Sequence, residues 1–190
     1  MHMLLKSREI AVTGILMAIG VILILFGGYF EGSTLFFLAA ASFLTGMIQR
    51  NISFPAAAAY LAGTVLLGFV LAPQKLYCFT FMAFSIYVIC AEGMAGNAKK
   101  QGRFKKRSLL WAGKAIIFHI LLLIVLFAGK ELFGLAILFQ GKLLKLWQSM
   151  SVLFWIGILV CAEVFWLVFD KAYFYVQDRY GSLLARLLRE

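Results

Sequence analysis

Apolar stretches of about 20 residues, the length an α-helix needs to cross the hydrocarbon core of a bilayer, recur six times along this sequence. They run over 10–30, 32–49, 55–73, 76–95, 108–128 and 149–169. Pro55 opens the third and Pro73 closes it, proline being tolerated at a helix start and common just past its end. A turn at Gly27-Gly28 and the charge of Glu31 separate the first two. The apolar share is 64%, against roughly 45–50% in soluble proteins, so too little polar surface remains to cover a water-soluble enzyme. Cys78, Cys90 and Cys161 are an odd number in apolar surroundings, which argues against a disulfide framework and for reduced packing residues. The expectation is an all-α integral membrane bundle of six transmembrane helices, one domain over 1–190, in the cell membrane.

The net charge of +10 reads as topology, because Lys and Arg accumulate on the cytoplasmic side of short loops. One side of the six spans carries Lys6, Arg8, Arg50, Lys99, Lys100, Arg103, Lys105, Lys106, Arg107, Lys171, Arg179, Arg186 and Arg189. The other carries Lys75, Lys130, Lys142 and Lys145. Thirteen against four places both termini and the 96–107 loop in the cytoplasm. The bilayer thereby accounts for the basic character, and no nucleic-acid partner is expected. The first apolar run is too long for a signal-peptide h-region and lacks an A-x-A-like cleavage site, so it is read as the first helix.

Two segments do not fit a span. Residues 131–147, ELFGLAILFQGKLLKLW, are apolar but broken by Gly134, Gly141, Lys142 and Lys145, which suits an interfacial or re-entrant helix capping the outer face. Over 171–190 the leucines Leu183, Leu184, Leu187 and Leu188 share one helical face, the pattern of an amphipathic cytoplasmic helix. The basic loop at 99–107 is expected to bind anionic lipid, each basic residue near the surface contributing about 1 kcal/mol.

Ionisable residues inside spans are costly and call for partners. Lys114 and Glu163, each about two turns from the cytoplasmic end of its span, are expected to pair. His119 falls near mid-membrane, where a helix-to-helix hydrogen bond is the favoured reading and a proton relay or substrate contact the alternative. A lone His offers no metal site, and no metal or cofactor is expected. Glu92 lies near the inner interface, within reach of the basic loop. Cys90-Ala91-Glu92 recurs as Cys161-Ala162-Glu163, a coincidence without flanking similarity. No P-loop, H-E-x-x-H or G-x-S-x-G motif is present, and His119 has no cysteine at matching depth, so no enzyme is expected.

Gly14 and Ala18 lie four apart in the first span, near Ala11 and Thr13, and small-xxx-small patches let membrane helices approach closely. Packing within the bundle is the alternative use of such a patch. A second small-residue stretch occupies Ala56 to Ala59, Ala62-Gly63 and Gly68.

The basic N-terminus, the helix A-V-T-G-I-L-M-A-I-G from Ala11 to Gly20, L-F-F-L-A-A-A-S-F-L from Leu35, L-L-G-F-V-L-A-P-Q-K-L from Leu66 and F-S-I-Y from Phe84 resemble the substrate-binding S component of energy-coupling factor (ECF) vitamin transporters and related membrane proteins. The resemblance covers about residues 8–95. It implies a six-helix subunit that captures a vitamin or metal ion near the outer face. The family's A-x-x-x-A patch on the first helix docks on a coupling membrane subunit. Gly14 and Ala18 match that patch, with Gly in place of the first Ala. The coupling subunit and the ATPases would be encoded elsewhere.

On this reading a small solute sits between the outer halves of the helices, under the 131–147 segment. Tyr29, Glu31, Lys75, Tyr77 and Trp147 are then the nearest polar or aromatic side chains. The rival reading, from another class, is a ligand-free membrane scaffold or assembly protein. Its contacts to cytoplasmic partners or anionic lipid would be the 99–107 loop and the C-terminal amphipathic helix. A polar outer pocket favours the first reading, a filled bundle the second.

Overall fold

The computed structural model describes residues 7–100, 107–132 and 152–187, and six long helices make up nearly all of them. They are α1 (Ser7–Tyr29), α2 (Thr34–Asn51), α3 (Phe54–Leu71), α4 (Leu76–Lys100), α5 (Arg107–Leu132) and α6 (Val152–Leu187), with a short 3-10 turn, Glu31–Ser33, between the first two. Among the described residues, Ser7–Tyr29, Phe54–Leu71 and Leu76–Gly96 are long and apolar enough to cross a membrane, and Leu110–Val125 is a shorter apolar stretch. Most of the segment expected to cap the outer face, with Trp147, and most of the basic 99–107 loop lie outside the described residues.

Local chemistry fixes the turns. Gly27 and Gly28 are helical, and the chain reverses instead at Phe30–Ser33, where the Thr34 hydroxyl donates back to the Gly27 carbonyl at 2.7 Å. Gly28 lets Pro73 approach: a Cβ there would lie 3.0 Å from the proline ring. Ser53 caps α3 by accepting the Ala56 N–H, with Pro55 in the first turn, where its missing N–H costs nothing. At the other end of α3 the Lys75 ammonium turns back onto the Phe69 and Ala72 carbonyls, satisfying acceptors that the end of a helix leaves open.

Among the described residues two clusters form the core. Ile24, Leu38, Ala41, Ile48, Ala57, Tyr60 and Phe81 knit α1 to α4. Tyr87, Val88, Ala91, Phe118, Trp166, Phe169 and Tyr173 join α4, α5 and α6. Each cluster seats a buried tyrosine against a glycine that has no room for a Cβ: Tyr60 on Gly20, its hydroxyl donating to the Ala41 carbonyl at 2.9 Å, and Tyr173 on Gly46.

The helices hold a regular register. Thr45 meets Ser85, Gln49 meets the Ile89 carbonyl and Arg50 meets Glu92, separations of 40, 40 and 42 residues. A constant separation means that α2 and α4 run parallel. Between α4 and α6 the pairs Tyr87–Trp166, Tyr87–Asp170 and Glu92–Tyr173 are 79, 83 and 81 apart, so α6 runs parallel to both. Phe43 packs against Phe169 and Tyr173, which puts Asp170 level with the middle of α2.

The expected break between a last span at 169 and a separate tail helix from 171 is not seen. α6 continues through Asp170 and Lys171 for 36 residues, about 54 Å at 1.5 Å per residue. The two charges do not end it because they point to different surroundings: Asp170 is buried in the helix interface and Lys171 is exposed.

Candidate functional site

The most elaborate polar cluster is built by α4, α5 and α6 around Asp170, which is buried. Lys114 on α5 donates to both carboxylate oxygens, at 2.9 and 3.0 Å. Tyr87 on α4 donates its hydroxyl to Asp170 Oδ1 at 2.7 Å and accepts the Trp166 indole N–H at 2.9 Å. The Lys114 ammonium lies 3.9 Å from the centroid of the Phe174 ring, a cation–π contact of the desolvated kind. Either charge alone in this apolar interface would be left buried and unpaired, at a cost of about 3–5 kcal/mol. Together, with the tyrosine as an added donor and the ring below, they are neutralised.

A second cluster lies one to two turns nearer the C-terminal ends of α2 and α4. Glu92 accepts from the Arg50 guanidinium and from the Tyr173 hydroxyl, both at 2.6 Å, and Arg50 also reaches the exposed Asp178 at 3.3 Å. Burial alone would lower the Arg50 pKa, but the hydrogen bond and charge of Glu92 outweigh it and hold the guanidinium above its usual value. Phe174 lies near both cations, 6.0 Å from the Arg50 guanidinium carbon on this side. Among the described residues Arg50 neutralises Glu92, because α2 and α4 run parallel and bring these two residues to one level; the 99–107 loop expected to do so lies mostly outside the described residues.

A third pair joins α5 and α6 toward the opposite end. His119 Nε2 is 3.1 Å from Glu163 Oε1, and its Nδ1 is 2.8 Å from the Ala115 carbonyl. This overturns the expected Lys114–Glu163 pairing. In an antiparallel pair a step along one helix is matched by a step back along the other. From Lys114 to His119 is five residues, and from Asp170 back to Glu163 is seven. Lys114 and Glu163 are therefore about 10 Å out of register. His119 bridges two helices, as expected, through its contact with the Glu163 carboxyl group.

Of the residues expected to line a solute site, Tyr29, Glu31, Lys75 and Tyr77 are described and fall at the α1–α2 and α3–α4 turns. Tyr29 is exposed at the end of α1. Glu31 opens the 3-10 turn. Lys75 is committed to the α3 carbonyls. Tyr77 is half-buried, its ring near Gly28. A cleft of about 430 Å³ between α3 and α4 is lined by Phe54, Ala58, Leu61, Ala62, Val65, Met82, Ile86 and Ile89. It holds no group that would orient a polar solute. Among the described residues no three His, Cys, Asp or Glu side chains lie together as metal ligands would.

The small-residue patch of α1 is clearer. Gly20, Ile24 and Gly27 are buried on one face, whereas Ala11, Gly14 and Ala18 lie exposed on the other, and a Cβ on Gly14 would meet nothing within 4 Å. Ile15 and Ile22 flank them, 63% and 49% exposed. Among the described residues, none packs against Gly14.

Sequence reading missed Asp170, Tyr87, Tyr173, Trp166 and Arg50. A signal for the α6 members is present: Glu163, Trp166, Asp170, Tyr173 and Gln177 are spaced three and four apart, a polar-aromatic stripe down one helix face. Compared with known protein families, curated proteins and solved structures, the chain matches none.

Proposed function

We propose that this chain is a six-span protein of the cell membrane with both termini in the cytoplasm, serving as the substrate-binding subunit of an ECF-type importer for a small solute. The observation that supports this reading is the uncovered stripe of Ala11, Gly14 and Ala18 on α1. Small side chains exposed in a row between larger isoleucines form a shallow groove into which another membrane helix fits closely. Among the described residues, no packing contact calls for a small residue at Gly14. Docking on a coupling subunit, with ATPases beyond it, is the use that the resemblance to S components assigns to this position.

The test is assembly and uptake. The double variant G14L/A18L is expected to reach the membrane folded and to lose co-purification of its membrane partner together with solute uptake. Retained assembly would remove the docking assignment.

A second reading, a ligand-free scaffold, is favoured by Lys75, which turns to the α3 carbonyls rather than toward a solute. Native mass spectrometry of the gently purified protein separates the two: a retained small molecule supports the importer subunit, and partner protein without one supports the scaffold.

A further inference from the structure

The His119–Glu163 pair differs from the other two clusters in being uncovered. Its side chains are 37% and 39% exposed, against 11% and 4% for Lys114 and Asp170. Asp170 is level with the middle of α2, and Glu163 is seven residues, about 10 Å, further toward the opposite end. On the six-span reading, on which this inference rests, that position is still within the hydrocarbon. Ionisable groups there almost always face a protein interior or a water-filled cavity. Around the pair the exposed neighbours are apolar: Ile116 and Leu123 on α5, Leu159 and Leu167 on α6.

We propose that the α5–α6 seam at His119 and Glu163 is the interface of a two-fold symmetric dimer of this chain. The patch is self-complementary. The two ring nitrogens of His119 are taken up by the Ala115 carbonyl and by Glu163. The seam therefore presents an imidazole and a carboxyl group side by side at one depth. A two-fold axis along the membrane normal preserves depth and makes the same patch face itself. His119 of each copy then stands opposite Glu163 of the other, giving a ring of four alternating imidazole and carboxyl groups sealed by the flanking aliphatic side chains. Two dipolar pairs are removed from lipid at once. The α1 stripe stays free, since α1 packs in the cluster of α1 to α4 and the seam belongs to the other cluster.

The test uses full-length chain with two different tags, co-expressed and extracted in native lipid nanodiscs. Wild type is expected to capture wild type and to bleach in two steps as a fluorescent fusion. H119E, which makes the patch all acidic, and E163K, which makes it all basic, are each expected to lose self-capture by more than about tenfold, like-charge contact costing several kcal/mol. H119E co-expressed with E163K is expected to recover capture, which repair within one copy does not explain. One-step bleaching of wild type, or self-capture by H119E at the wild-type level, would overturn the proposal. Release of wild type from membranes by alkaline carbonate would overturn the six-span reading and the dimer with it. A carbonate-resistant single copy overturns the dimer alone.

Discussion

Lys114 and Asp170 hold α5 to α6 through two hydrogen bonds, 2.9 and 3.0 Å long, with both side chains nearly out of contact with the surroundings. The pair is also tied to α4 through Tyr87, so three helices meet at one carboxylate. Removing one member leaves the other charge buried and unpaired, a loss of about 3–5 kcal/mol where such pairs have been broken. D170A and K114A are each expected to destabilise the protein by that order in reversible SDS unfolding. The double apolar variant K114M/D170L is expected to be more stable than either. Single variants as stable as wild type would show that the pair contributes no net stabilisation.

The glycines divide by what stands over them. Gly20 and Gly46 sit under Tyr60 and Tyr173 with no space for a methyl group, whereas Gly14 faces open surroundings. G20A and G46A are expected to cost about 1–3 kcal/mol by overpacking, read as a lowered melting temperature in detergent. G14A is expected to stay within about 0.5 kcal/mol of wild type. A large loss from G14A would mean that the α1 stripe is covered after all.

That division shows where the sequence ran out. The apolar stretches announce helices, and Pro55 and Pro73 mark where α3 begins and ends. But α1 is apolar on every side, so its inward face cannot be told from its outward face by pattern. Gly14 and Gly20 look alike until Tyr60 is seen against one of them. Register was equally hidden. Asp170 and Lys171 read together as the end of an apolar run, and with the helix stopped at 169 the carboxylate level with Lys114 is Glu163. Continuing the helix to Leu187 moves the pairing two turns along and hands Glu163 to His119. The polar groups were legible as unusual; their partners depended on where neighbouring helices start and stop.

Tyr173 offers a cleaner view of the second cluster than Arg50, because its removal leaves no charge unpaired. Its hydroxyl donates to Glu92 at 2.6 Å, while Arg50 still neutralises that carboxylate. Y173F is expected to lose about 1.5–3 kcal/mol, the contribution of a hydrogen bond to a charged group. Y175F, two residues along on a side chain 70% exposed, is expected to change little. Equal effects of the two would mean that the Glu92 contact contributes nothing.

Lys75 joins the fold question to the functional one. Its ammonium donates to the Phe69 and Ala72 carbonyls, at the negative end of α3, where a cation is favoured and typically contributes up to about 1 kcal/mol. A lysine held this way acts on stability, so K75A is expected to lower the melting temperature in detergent and to leave solute retention, measured by native mass spectrometry, unchanged. Should K75A abolish retention without lowering the melting temperature, the side chain must leave the carbonyls to reach a ligand. Lys75 would then join a solute site at the outer end, and the importer reading would gain the polar contact that the described apolar cleft does not supply.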